Sequence, residues 1–364
     1  MKKLFVLFIG ALLSASFLTI SANAQQKDPY MTRNFPASSI KEMEVITSGG
    51  SITVSGDAGS QAVVEVFVTR DRWSAEEIKR VLDENYTIEI NVKNGKLYAE
   101  AKSKNKITNW NRQGLSISFK ISVPKQVSSN LHTSGGSINI SNLTGSQDIR
   151  TSGGSLSIEN ITGKITGRTS GGSIKIASSN DNIDLTTSGG SITAENCNGK
   201  ISLKTSGGTI NMSNLSGDIK AGTSGGSLNM NHLSGAIEAT TSGGSVKANN
   251  INGELKTGTS GGSVNLDRVS GSVEAKTSGG SINVTMESVS DYVKLSCTGG
   301  GITLTVPASK GYNLNARAGN NLDTFGLSGF KGDITNSGKN MQGTVNNGGP
   351  EIDVRATRIK LTFK

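Results

Sequence analysis

The tetrapeptide Thr-Ser-Gly-Gly begins at Thr133, Thr151, Thr169, Thr187, Thr205, Thr223, Thr241, Thr259 and Thr277, nine times at eight identical spacings of 18 residues. A fixed period without insertions marks a stack of repeats in which each unit is one turn of a solenoid. With the threonine of each unit as place 1, aliphatic residues favour places 6, 8, 11, 15 and often 17. Place 6 holds Ile138, Leu156, Ile174, Ile192, Ile210, Leu228, Val246, Val264 and Ile282. Place 11 is aliphatic or Cys197, with Ser179 the exception. Steps of two within 6/8 and 15/17 are strand periodicity. The chain is therefore expected to be all-β, a single-chain parallel β-helix (β-solenoid). Each 18-residue coil carries two short strands, and the winding is expected to be right-handed.

Two bends separate the strands. One is the Ser-Gly-Gly, whose pairs are Gly135/Gly136, Gly153/Gly154, Gly171/Gly172, Gly189/Gly190, Gly207/Gly208, Gly225/Gly226, Gly243/Gly244, Gly261/Gly262 and Gly279/Gly280. These are read as structural turn glycines, able to take positive φ at no steric cost. The other bend surrounds place 13, which is glycine in most coils. Threonine at place 1 is in phase with 15 and 17 and should point inward, its hydroxyl meeting the same threonine of the next coil. Serines at places 2 and 5 should face outward or bond at the bend. Like strands stacked at ~4.8 Å make nine coils a rod of roughly 43 Å.

The flanks divide the chain further. Residues 1–24 open with Lys2 and Lys3, continue through a mostly apolar run and end in Ala22-Asn23-Ala24. This is the pattern of a secretory signal peptide. Residues 25–132 read as a solenoid start and cap. Ser74-Ala75-Glu76-Glu77 is a capping box opening a helix over about 74–84. Thr47-Ser48-Gly49-Gly50-Ser51 is an outlying coil. Residues 133–296 are nine regular coils, with Tyr292 as their one aromatic, and residues 297–364 are irregular coils and a cap. No stretch after residue 24 has the ~18 unbroken apolar residues of a membrane span. Bulky side chains gather in the flanks, as closing the open edges of a thin solenoid requires.

Strands ending in Val-Pro (Phe119 to Pro124; Ile302 to Pro307), next to threonine-serine-glycine coils, resemble the bacterial putative-adhesin family of β-helical envelope proteins of unknown function. The likeness covers about residues 40–364. It implies an exported β-solenoid with adhesive or envelope-associated roles; with the secretory pattern of residues 1–24, the protein is expected in the periplasm, at the outer membrane, or secreted to the cell surface. It carries over no catalytic or binding residue.

The chemistry read from the sequence is sparse. A 34% apolar content is thin for a large enzyme core, and a formal charge of +9 is too moderate for specific nucleic-acid binding. His132 and His232 are the only histidines, and neither has a catalytic partner nearby in sequence. No stacked carboxylates suggest calcium, so no metal, cofactor or catalytic residue is expected. Cys197 and Cys297 lie six coils or ~29 Å apart, beyond disulfide reach. One patch suits an acidic ligand: Lys102, Lys104, Lys106, Trp110 and Arg112, a cationic loop bearing an aromatic. The same loop also reads as a solvated segment covering the rod's end. The reading favoured is a non-enzymatic, monomeric binding protein offering a Ser/Thr/Asn/Lys surface to a glycan or surface protein. The alternatives are a self-associating envelope scaffold and, third, a polysaccharide-active β-helix enzyme.

Overall fold

The computed structural model describes residues 28–104 and 114–364. The signal-peptide reading of residues 1–24 lies outside them. The repeat does form a parallel β-solenoid of about ten turns. Coil stacks on coil at a register of 18: Ile192 pairs with Ile210, Ile210 with Leu228, Leu228 with Val246 and Val246 with Val264. Places 6, 8, 11, 15, 17 and 1 point inward and are buried in one continuous core. The odd residue at place 11, Ser179, is also buried. Its hydroxyl donates to the Ala177 carbonyl (2.9 Å) and accepts from the Ile161 N–H (3.1 Å), so the apolar row loses no hydrogen bond.

Coils 1 to 3 keep two separate strands, as in Ile138–Ser141 and Gln147–Arg150. From coil 4 the two fuse into one 14-residue strand per coil, Ile192–Thr205 being the first. What remains of the bend is one residue, place 10, which is left-handed in every regular coil through the eighth: Asn196 at φ 53°, Asn214 at 54°, His232 at 52°. That residue is skipped in the pairing. Asparagine tolerates this region better than most side chains. Its carboxamide then bonds to its neighbour in the stack, Asn160 Nδ2 to Asn142 Oδ1 at 2.7 Å and Asn214 Nδ2 to Asn196 Oδ1 at 3.0 Å.

The Ser-Gly-Gly turn departs from the expectation of positive φ. That conformation is taken neither by the first glycines (Gly135, Gly153, Gly171, Gly189, Gly207, Gly225, Gly243, Gly261, Gly279) nor by the second (Gly136, Gly154, Gly172, Gly190, Gly208, Gly226, Gly244, Gly262, Gly280). The glycines at place 13 take it instead, Gly217 at 114° for example. The second glycine of each pair is needed for another reason, because the turns stack backbone on backbone. A Cβ on Gly190 would sit 2.1 Å from the Gly172 carbonyl oxygen. The same collision recurs along the stack. A Cβ on Gly136 would lie 2.1 Å from Gly50 O, and one on Gly154 2.0 Å from Gly136 O. On Gly244 it would lie 2.1 Å from Gly226 O, and on Gly262 2.2 Å from Gly244 O. On Gly189, the first of its pair, it would meet nothing closer than 3.6 Å.

The threonine is inward, but its partner is not another threonine. Thr223 Oγ1 donates to the Gly208 carbonyl of the preceding coil (2.9 Å) and accepts from the Gly226 N–H of its own turn (3.2 Å). The same pair of bonds recurs from Thr133, whose acceptor is Gly50, to Thr277. Thr47–Ser51 is thus a coil stacked directly on the first regular one, although about eighty residues separate them in sequence.

The intervening segment builds the N-terminal cap. Lys96–Ser103 and Ser116–Ser122 continue the stack in parallel, and then the direction reverses. Tyr86–Lys93 runs antiparallel to the former, Gln61–Thr69 to the latter, and Met31–Pro36 to Gln61–Thr69. The helix spans Ala75–Asn85, with Ser74 and Glu77 closing the capping box.

At the other end the coil after Thr277 is two residues longer, and Cys297 takes the threonine's place. Its Sγ donates to the Gly280 carbonyl (3.1 Å) and accepts from Gly300 N–H (3.2 Å). The strand Glu351–Phe363 is laid on next, out of sequence order. It pairs in parallel with Tyr292–Ser296 of coil nine and Gly301–Val306 of coil ten on one side and with Tyr312–Phe325 on the other, beyond which Asn340–Val345 and Phe330–Thr335 add antiparallel strands.

Candidate functional site

The sequence-derived cationic patch is only partly described. Lys106, Trp110 and Arg112 lie outside the described residues. Lys102 is exposed on the strand Lys96–Ser103, opposite Thr87. Lys104 is engaged locally: its Nζ donates to the Asp83 carbonyl at 2.6 Å and its N–H to Asn85 O at 2.8 Å, which ties the strand's end to the helix. His132 is exposed on Ser128–His132. His232 is a rung of the place-10 ladder, its Nε2 3.0 Å from Asn250 Nδ2. Among the described residues no three His, Cys, Asp or Glu side chains come together as a metal site. Cys197 and Cys297 are free and buried, and burial pushes the Cys197 thiol up, making it less nucleophilic.

A site that sequence reading did not single out emerges from the register. Places 7 and 9 both point outward from the same strand, one on each side of the buried place 8. Over coils 4 to 9 they flank a groove along the rod axis with a volume of about 660 Å³. Thr193, Asn211, Asn229, Lys247, Asn265 and Asn283 form one wall; Glu195, Ser213, Asn231, Asn249, Asp267 and Thr285 form the other. The floor is made by Ala194, Met212, Met230, Ala248 and Leu266, whose side chains turn into the core.

The walls are ordered by hydrogen bonds along the axis. Asn229 Nδ2 donates to Asn211 Oδ1 and Asn283 Nδ2 to Asn265 Oδ1, both at 2.8 Å. On the facing wall Asn249 Nδ2 donates to Asp267 Oδ2 (3.1 Å), and Arg268, at place 10, donates to Asn249 Oδ1 (2.5 Å) while pairing with Asp267 (3.2 Å). Glu195 and Asp267 against Lys247 and Arg268 leave this face with no net charge.

A second row along the rod is charged instead. Lys220, Glu238, Lys256 and Glu274 at place 16, and Lys294 in register with them on the longer coil, alternate in sign up the stack. Lys220 and Glu238 approach to 3.6 Å and Lys256 meets Glu254 at 2.9 Å. Tyr292, on the longer coil, reaches back two coils to donate to Glu254 at 2.5 Å. That bond, then Lys256, holds the Glu254 carboxyl below its usual range. Burial and Glu254 push the Tyr292 phenol up to about 12.

Residues 191–358, which include the groove, match the family model described as Toastrack DUF4097. Over that stretch the chain is similar to the toastrack family. The match spans somewhat under half of the 364 residues, and it agrees with the adhesin-type β-helical domain of unknown function read from the Val-Pro strands and the coils. Among solved structures, a putative cell adhesion protein from Clostridium sporogenes is 12% identical, with 92% of this chain and 98% of that one covered and a TM-score of 0.20. A putative adhesin from Bacteroides fragilis is 14% identical, with 76% and 96% covered and a TM-score of 0.26. No curated protein matches. Among the described residues of this toastrack-like chain, no helix is long and apolar enough to cross a membrane.

Proposed function

We propose that this toastrack-like solenoid is an exported, non-enzymatic binding protein of the cell envelope or surface, and that the groove over coils 4 to 9 is its binding face. One observation carries the reading: six successive coils present the same two rows of polar side chains, several of them held by bonds along the stack. A periodic, open trough whose face carries no net charge suits adhesion to an extended partner through many weak contacts. It offers no converging acid, base and nucleophile. The secretory pattern of residues 1–24 supports export.

The test is co-sedimentation of the purified protein with bacterial envelopes. Asn211→Lys combined with Asn229→Lys puts two charges into the trough and should lower envelope binding by about tenfold or more. Unchanged binding by a folded variant refutes the groove as the binding face. The self-associating scaffold is the weaker alternative, because both ends finish in antiparallel strands rather than in an open coil. Light scattering should show a monomer even at high concentration.

A further inference from the structure

The chemistry of the trough narrows what it holds. Asn211, Asn229, Asn265 and Asn283 on one wall and Asn231 and Asn249 on the other carry carboxamides, which offer two donor hydrogens and an acceptor oxygen without charge. Each bond along the Asn211/Asn229 and Asn265/Asn283 wall uses one donor and part of one acceptor, so capacity remains there for a ligand while those amide planes are held. The pattern recurs at the strand spacing of ~4.8 Å. An extended peptide repeats its same-side groups every ~6.8 Å and falls out of step within two coils. An extended β-1,4-linked pyranose chain advances by close to one coil step per sugar with alternate sugars inverted, so its same-side groups recur at about every second coil, and its hydroxyls are both donors and acceptors. The balanced charge gives a polyanion no advantage. With no aromatic on its walls or floor, the trough holds each sugar weakly, and affinity grows with the number of coils engaged.

We infer that the groove binds an uncharged, extended, β-linked polysaccharide lying along the rod axis, one sugar to each coil from 4 to 9. This rests on the groove being the binding face, as proposed above. Calorimetric titration with cello- and chito-oligosaccharides of increasing length, beside polygalacturonate as a charged control, tests it. Affinity for one or both neutral series should rise with each added sugar up to six and then level off, with little change up to ~0.5 M salt. Asn229→Leu with Asn249→Leu should weaken the best oligosaccharide about tenfold or more, with melting temperature and circular dichroism retained. Asn229→Ser, a gentler change, should weaken it by a smaller factor and guards against misfolding. Lys220→Gln, in the charged row, should leave binding intact.

Affinity independent of length, preference for polygalacturonate, or no binding to either neutral series overturns the assignment of the ligand. If envelope binding still falls in the groove variants, the binding face itself stands. Envelope binding indifferent to those variants overturns both.

Discussion

The regular coils and the two caps solve the same problem by opposite means. Between Thr133 and Ser296 every coil is closed by the coil above and below it, so small aliphatics, a threonine and a pair of glycines are enough, repeated without change. The caps have no next coil to lean on. They reverse strand direction, add a helix and bury aromatics: Phe119 and Tyr86 at one end, Tyr312 against Phe363 at the other with ring centroids 6.2 Å apart. Translational symmetry lets eighteen residues suffice for each turn of the rod. Ending that symmetry takes about a hundred residues of one-off packing at one end and about seventy at the other. The lesson is that a solenoid's information content lies at its ends.

The largest effect should come from breaking the translation. Gly190→Ala puts a Cβ 2.1 Å from a backbone oxygen and should cost about 5 kcal/mol, at the upper end for one substitution. Gly189→Ala, one residue earlier, should stay within about 1 kcal/mol of wild type; equal losses in thermal melts would refute the backbone-stacking account. Phe119→Ala should cost about 3–4 kcal/mol by leaving a cavity in the cap. Hydrogen exchange should then loosen the N-terminal end and spare coils 5 to 8, whereas uniform loosening would mean the rod has no separable ends.

Thr223→Val keeps the shape but strands the Gly208 carbonyl and the Gly226 N–H, costing about 1–3 kcal/mol. Cys297→Thr restores the rod's own solution and should be neutral or gain a few tenths of a kcal/mol, since a thiol is a weak donor; a clear loss would show that the longer coil needs sulfur.

Acidity and alkalinity probe cap and rod together. In the cap, Ser122 and Ser55 donate to Asp57 at 2.7 and 2.8 Å and hold its carboxyl below its ordinary 3.8. Its contribution is complete above that value and is lost as the pH falls through the lowered native one. Glu254 in the rod behaves in the same direction. Tyr98, bonded to Glu100, and Tyr292 are pushed up to about 12, so what they contribute is present below 10.0 and is lost as the pH rises through about 12. Asp57→Asn should remove part of the acid step in melting temperature, and Tyr292→Phe part of the alkaline one. The smallest effect expected is that of Lys102→Gln with Lys104→Gln, which should leave envelope binding unchanged.

Whatever repeats was legible in the sequence. The period, the inward rows, the capping box and the worn copy at Cys297 all follow from spacing and side-chain type. What failed to show was anything defined by a neighbouring coil. The Ser-Gly-Gly glycines, from Gly136 and Gly154 to Gly244 and Gly262, read as positive-φ residues because a turn suggests its own torsions; their real constraint is the carbonyl of the turn beneath. Thr223 was matched to a threonine for the same reason, when its acceptor is a glycine three places on in the previous unit. The groove was invisible because Asn211 and Asn229 look like ordinary exposed residues until stacking sets them side by side. The caps were legible as regions, from their bulky residues and the capping box at Ser74 and Glu77, but the strand reversals inside them were not, because nothing in them recurs.

One consequence of the 18-residue register reaches past the individual molecule. Because equivalent positions in neighbouring coils see nearly the same surroundings, a genetic duplication or loss of one whole unit would join compatible ends and leave the termini untouched. Such a gene can drift in length by integer steps, and any trough it carries grows or shrinks with it. The molecule is in that sense an adjustable gauge, whose reach selection can set by counting units rather than by redesigning them.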